Sequence, residues 1–246
     1  MKLFSKYVIS ALLMFSNFAV AQGCNSIDRN KLANRMGIDK TLIPYLSLEI
    51  PSCANINLVD DYAGFVLNEV NERIHNGIRS EIAINYPFVE GDTVEYRWSI
   101  LVPKASAPGG GEKEWWVIAQ WHDQPDPRLG ETWAKFKAQS PPVAIYIENR
   151  NGVVGIGIQG MLGKKISWSP VTTDVWLDLS AVIHWSTGDT GSVRLGVDGY
   201  PNFNHSLLGP NMLNSYQHYF KAGQYRAPTV EKYSVINIKN VRFKKL

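Results

Sequence analysis

The sequence predicts an all-β fold: an antiparallel two-sheet β-sandwich of the jelly-roll, concanavalin-like type, with a short helical segment near its N-terminal end. Three observations predict it. From Arg79 onward, short runs alternate apolar and polar residues at period two, as half-buried strands do. Turn residues, not helical stretches, separate those runs. The 246-residue chain is also 45% hydrophobic, 11% aromatic and 19% charged, which is enough apolar side chain for a core and too little charge for disorder. Sandwiches of this length form a single unit. The 20 glycines and 13 prolines follow no fixed period, which excludes a collagen-like repeat.

Residues 1–21 read as a signal peptide. Lys2 and Lys6 supply the positive region, Tyr7 to Phe15 the apolar one, and Ala19-Val20-Ala21 the small-x-small cleavage pattern. The apolar run is far shorter than the roughly 20 residues that span a bilayer, and no later stretch approaches that length. An exported protein without a membrane span is expected, periplasmic or secreted, with residues 22–246 as its one domain. The net charge of +3 is too small for a nucleic-acid-binding surface. Two cysteines are present, Cys24 and Cys53, and an oxidising compartment makes a disulfide between them the expected state. The alternative, a lipid anchor on Cys24, lacks the leucine such sites carry three residues earlier.

Asp28 to Met36 predicts a short helix, and Phe65, Val66, Val70 and Ile74 lie at roughly helical spacing within Ala63–Ile74. Strands follow over Glu81–Tyr86 and Thr93–Val102, with Glu90-Gly91-Asp92 as the turn between them. Residues 106–111 (SAPGGG) form a loop. Further strands are expected over Trp115–Trp121, Val143–Glu148, Val153–Gln159, Val175–Trp185, Ser192–Val197, Tyr216–Tyr225 and Ser234–Phe243. Residues 149–152 (NRNG) and 188–191 (GDTG) are hairpin turns.

Phosphate-binding glycine loops, nucleophile elbows and zinc-protease motifs are missing. Three polar segments do stand out on expected strands: Arg79-Ser80-Glu81, Gln120-Trp121-His122 and residues 219–226 (YFKAGQYR). Residues two apart on a strand share a face. Arg79 with Glu81, Gln120 with His122, and Tyr219 with Lys221 and Tyr225 therefore form same-face sets, while Trp121, Phe220 and Ala222 point the other way into the core. Each set also has a bland reading, as a hydrogen-bonded structural histidine, a surface ion pair or a solvated sheet face.

The three segments resemble the signatures of the β-jelly-roll polysaccharide lyases: R-S-E early, Q-x-H in the middle and Y-F-K-x-G-x-Y near the C-terminus. That group includes the family-seven alginate lyases, the glucuronan lyases and the heparin-lyase-I type. Gln-Trp-His and Tyr225-Arg226 are more similar to the glucuronan and heparin-lyase-I side than to the alginate lyases. The resemblance covers about Arg79 to Phe243. It implies β-elimination on a uronic-acid polysaccharide: loss of the C5 proton, cleavage of the 4-O-glycosidic bond and an unsaturated uronate product.

Such a site must neutralise a carboxylate whose charge spreads as the C5 proton leaves. Arg79 and Gln120 are the candidates, Lys221 adds positive charge and Glu81 holds Arg79. His122 suits the base and Tyr225 the acid, with the two roles exchangeable. Tyr219, Arg226 and Trp116 are expected to bind substrate, with Trp115, Trp133, Trp168 and Tyr216 as further aromatic contacts. His184 reads as core beside Trp185, while His75, His205 and His218 carry no catalytic context. No cofactor is required. Asp123, Asp126 and Glu131 could hold a structural calcium, although their spacing is not a calcium-loop pattern. Residues 123–137 form a cleft wall where Arg128, Lys135 and Lys137 could meet a polyanion. The expected partner is an anionic polysaccharide, and the expected state is a monomer.

Two other classes compete. A non-catalytic carbohydrate-binding sandwich would keep the aromatics without needing His122, Tyr225 and Arg79 on one face. A glycoside hydrolase needs two opposed carboxylates, and Glu81 is the one obvious carboxylate on the expected cleft strands.

Overall fold

The computed structural model describes residues 24, 27–74, 77–110, 114–137 and 139–246. The expected signal peptide and His75 lie outside the described residues. Helix α1 (Arg29–Met36) starts at Asp28, whose carboxylate accepts from the backbone N–H groups of Asn30 and Lys31, and stops at Gly37 in the left-handed conformation. Leu32, Ala33 and Met36 form its buried stripe.

Fourteen strands follow among the described residues: β1 (Leu46–Glu49), β2 (Ile56–Leu58), β3 (Ala63–Leu67), β4 (Ile78–Ile84), β5 (Thr93–Leu101), β6 (Trp116–His122), β7 (Val143–Arg150), β8 (Val153–Gln159), β9 (Ser169–Pro170), β10 (Trp176–His184), β11 (Ser192–Val197), β12 (Asn204–Leu208), β13 (Tyr219–Arg226) and β14 (Ser234–Lys245). They form two seven-stranded sheets, ordered β1-β4-β13-β6-β7-β8-β9 and β12-β11-β10-β5-β14-β3-β2, with antiparallel pairing throughout. This is the antiparallel sandwich the sequence predicts.

Aromatic side chains from both sheets meet in the core. Trp121 and Phe220 of the first sheet pack at 5.3 Å between ring centroids. Across the interface, Phe220 lies 5.3 Å from Trp98 and 5.1 Å from Phe243 of the second sheet. Tyr96 accepts a hydrogen bond from the Trp185 indole N–H, as a buried indole requires. These contacts fix which face of β6 and β13 points inward, and so fix the opposite face as the one open to a ligand.

The segment before Arg79 departs from expectation. Residues 63–67 form β3 instead of a helix, and all five are buried between β2 and β14. A strand buried on both faces reads as a continuous apolar run, so periodicity cannot distinguish it from a helix. Val70, which completed the apparent helical stripe, is 87% exposed. Strands β1, β2, β9 and β12 have no strong alternation and were not expected. The Cys24–Cys53 disulfide is present, with Cα atoms 5.0 Å apart and a sequence separation of 29. It closes a loop that contains both α1 and β1. No helix among the described residues is long and apolar enough to cross a membrane.

Candidate active site

The register assembles the site. Tyr225 pairs with Arg79 and Gly223 with Glu81 across β13 and β4. Lys221 pairs with Gln120 and Tyr219 with His122 across β13 and β6. Cross-strand partners share a face, so the seven side chains expected together do lie on one side of the sheet. A bulge between Ala222 and Tyr225 interrupts the β13–β6 ladder. Gly223, with φ +145°, sits at that bulge, where a Cβ would collide with the Ser80 carbonyl oxygen and lie 2.8 Å from the Glu81 Cα. Glycine at this position allows β13 to approach β4 closely directly beneath the ionic cluster.

The contacts form one connected row. His122 and Tyr219 face each other with ring centroids 5.8 Å apart. The Lys221 ammonium lies 4.8 Å from the Tyr219 ring centroid. Lys221 Nζ and Arg79 Nη1 both reach Glu49 Oε2, at 2.7 and 2.9 Å. The Arg79 guanidinium stacks 4.0 Å from the Tyr225 ring centroid. Beneath the row, Glu81 accepts from Gln120 Nε2 at 2.7 Å and lies 3.4 Å from Arg79 Nη1. Arg79, Glu81, Gln120 and Lys221 are all buried. His122, Glu49 and Tyr225 keep partial exposure and are the groups a ligand meets first.

Glu49 is the residue that sequence reasoning missed. It ends β1, an unexpected strand, and its register partner is Glu81. Burial works to raise its pKa, but the Lys221 and Arg79 charges outweigh it and hold Glu49 at about 2, fully ionised at neutral pH. The other members shift in directions set mainly by burial, which raises Glu81 despite Arg79, lowers Lys221 despite Glu49, and raises both tyrosines. Burial would also lower Arg79, but Glu81 and Glu49 more than compensate. Both phenols therefore stay protonated through neutral pH.

At the other end of the row, His122 Nδ1 lies 2.9 Å from the Asp123 carbonyl oxygen and 2.8 Å from Asp123 Oδ1. Both neighbours are acceptors, so Nδ1 is the protonated nitrogen and the neutral ring carries its lone pair on Nε2. Asp123 is fully buried, and no directed hydrogen bond to its carboxylate oxygens is found among the described residues.

Several expected contacts are placed elsewhere. Arg226 is buried on the opposite face, where it donates to Ser234 Oγ and to the carbonyls of Asn68 and Lys232. Trp116 is 2% exposed, in the core, with the Arg226 guanidinium over its ring. Neither can touch a ligand in the cleft: Arg226 follows the inward parity of Phe220 and Ala222, and a register shift in β6 between Val117 and Ala119 turns Trp116, which shares the parity of Gln120 and His122, into the core. Lys221 is not a free long-range cation, since Glu49 holds it. Trp115 packs edge-on against Tyr225 at 4.7 Å and Trp133 edge-on against Tyr219 at 6.2 Å, so both flank the row. Trp168 lies beneath Arg150 and Tyr216 beneath Arg128. Asp126 is engaged by the Arg128 guanidinium, and Glu131 by the Asp126 backbone N–H. Among the described residues no group of three or more His, Cys, Asp or Glu could hold a metal ion. His184 is half-exposed, with Nδ1 3.0 Å from Thr93 Oγ1, and is not core as expected. His205 lies buried on β12, and His218 is buried just before β13.

The fold is a jelly-roll-type sandwich that carries a connected ionic and aromatic row on one sheet face. The chain belongs to the polysaccharide lyase family: the family described as "Polysaccharide lyase" matches residues 53–242, which takes in all three polar segments and β13. No curated protein matches by sequence. Solved structures with a similar fold include the endo-β-1,4-glucuronan lyase of the fungus Trichoderma reesei, at 14% identity and TM-score 0.55, covering 82% of this chain and 87% of that one. The family 7 alginate lyase A1-II′ in complex with a GGMG substrate gives 13% identity and TM-score 0.61, covering 87% and 97%. The glycoside hydrolase family 131 catalytic domain of Coprinopsis cinerea gives 13% and 0.51, covering 82% and 77%. At such identities the likeness shows the fold alone.

Proposed function

We propose that this polysaccharide lyase is exported and cleaves a uronic-acid-containing anionic polysaccharide by β-elimination. The observation that carries the reading is the unbroken same-face row from His122 to Tyr225, which joins a base, a proton donor and two buried cations. His122 Nε2 takes the C5 proton. Arg79 neutralises the uronate carboxylate as charge moves onto it, with Lys221 adding positive potential and Gln120 and Glu81 fixing the floor. Tyr225, kept protonated by its burial, delivers a proton to the departing O4. Elimination breaks the C5–H and C4–O4 bonds and forms the C4–C5 double bond, so no water nucleophile and no redox group is called for.

The glucuronan and alginate lyases among the structural neighbours support a uronate polymer as substrate. A hydrolase mechanism fits the site less well. Glu49 and Glu81 both contact the same Arg79 nitrogen, and Glu81 is buried, whereas hydrolysis needs carboxylates on either side of the scissile bond.

The test is to incubate the purified mature protein with glucuronan, alginate and heparin-like chains. The expected result is growth of the ultraviolet absorbance of the unsaturated uronate on at least one polymer. New reducing ends without that absorbance would point to hydrolysis. Binding without any cleavage would point to a carbohydrate-binding sandwich.

A further inference from the structure

We propose that Arg79 and Lys221 form a carboxylate-binding subsite which the free enzyme fills with its own Glu49, and that the substrate's uronate carboxylate replaces Glu49 on binding. The identity of the incoming group rests on the lyase reading above.

Both cations converge on a single oxygen, Glu49 Oε2, as they would on a ligand carboxylate. Sheet pairing does not explain this placement. Glu49 stands directly opposite Glu81 in the β1–β4 register, and like charges opposite one another are unfavourable in a sheet. The cations hold Glu49 there, and they need it, because Glu81 supplies one negative charge beneath two buried positive groups and a second anion is required to balance them.

Glu49 is also the member built to leave. Its side chain is 22% exposed, against 4% for Arg79 and 2% for Lys221, so it lies on the solvent side of both. It ends an edge strand that pairs with β4 on one side, and rotating its side chain outward costs no ladder hydrogen bond. The Cys24–Cys53 disulfide keeps the β1 segment tethered, and Glu49 returns when product leaves. Two consequences follow. The cations stay oriented in the empty enzyme, and a neutral glucan, which brings no carboxylate, cannot take Glu49's place.

The experiment is chemical rescue. Purified Glu49→Ala and wild type are melted in sodium glucuronate, sodium acetate and sodium chloride at equal ionic strength. The expected result is that the variant unfolds at a lower temperature than wild type in chloride and recovers saturably with the carboxylates, while wild type gains much less at the same concentration. Titration calorimetry should show glucuronate binding the variant on the order of tenfold tighter than wild type. Rescue by acetate and glucuronate alike identifies a general carboxylate site, and stronger rescue by glucuronate adds recognition of the sugar. A variant that responds no better to carboxylates than to chloride overturns the proposal, as does a wild type that responds equally. If the alanine variant does not fold, Glu49→Gln is read in the same way. If neither folds, a refolding yield no better in glucuronate than in chloride also overturns it. Rescue in a protein that eliminates no uronate polymer would sink the lyase reading and leave this one standing, and elimination without rescue would do the reverse.

Discussion

The Arg79 guanidinium lies over the Tyr225 ring, 4.0 Å from its centroid, and the two residues are register partners across β4 and β13. A cation over an aromatic face is attracted to it, and here the attraction couples the group proposed to neutralise the carboxylate to the proposed proton donor. Gly77 completes the arrangement. A Cβ there would come within 2.5 Å of the Tyr225 ring and 2.6 Å of Trp115, so the phenol is packed from below as well as capped from above.

Tyr225→Phe removes one hydroxyl and almost no volume. Turnover on the preferred polymer should fall by about 10²–10⁴, with the unfolding temperature nearly unchanged. Tyr219→Phe is the necessary comparison, because Tyr219 is the phenol directly across from His122. Its loss should lower turnover less than the loss of Tyr225. Steady-state elimination rates decide between them, and a reversed order would move the acid role to Tyr219.

Lys221→Met should not be mild, although a lysine contributing only long-range charge would predict that. The substitution leaves Glu49 with Arg79 as its close cation, and because Glu49 is 22% exposed and can turn toward solvent, the cost falls below the roughly 3–5 kcal/mol of a stranded, fully buried charge. Adding Glu49→Gln should restore part of the loss, because the double variant no longer strands a carboxylate. Urea unfolding of the two single variants and the double variant measures the coupling. Simple additivity would contradict the ionic cluster.

The parity of three short segments was enough to place Arg79, Glu81, Gln120, His122, Tyr219, Lys221 and Tyr225 on one face, because a period of two leaves no freedom once Trp121 and Phe220 are assigned to the core. The same parity sets Arg226 on the inward face with Phe220 and Ala222, so the expectation that it binds substrate ran against the pattern. Gln224 donates to the Phe65 and Ser234 carbonyls between the sheets, and Arg226 follows it. Glu49 was illegible for a different reason. Leu46–Glu49 is four residues long and directly follows a six-residue 3₁₀ helix that contains Pro44, so its alternation is too brief to register. Its partners are also 30 and 172 residues away.

The disulfide makes a separate prediction. Replacing Cys24 and Cys53 by serine releases a loop with a sequence separation of 29, and the chain-entropy estimate for such a loop is about 3–4 kcal/mol. For a chain of this size that corresponds to a fall of roughly 6–15 °C in unfolding temperature. Calorimetry of the double serine variant and of wild type under reductant should agree with each other. A change below a degree in both would show that β1 is held without the covalent tie.

His218 sets the acid side of stability. It is buried beside Trp185, with ring centroids 5.7 Å apart. Its Nδ1 lies 2.9 Å from the Tyr216 carbonyl and its Nε2 accepts from the Leu213 N–H. One donor and one acceptor are what a neutral imidazole offers, and protonation would set a second N–H against the Leu213 donor. Burial accordingly pushes the pKa from 6.5 down to about 4, against the opposing pull of the Tyr216 carbonyl and the Asp123 charge. Because the folded value is depressed, the unfolded chain binds more protons between pH 6.5 and 4. The contribution is therefore complete above 6.5 and disappears as pH falls through 4. Its size is of the order of 3 kcal/mol. His218→Gln keeps one donor and one acceptor but cannot titrate, and Glu49, which loses its own contribution between about pH 4.5 and 2, is common to both proteins and cancels. Urea midpoints measured from pH 7 to pH 4 should show wild type losing about that much more stability than the variant. Parallel slopes would mean that His218 does not titrate in this window.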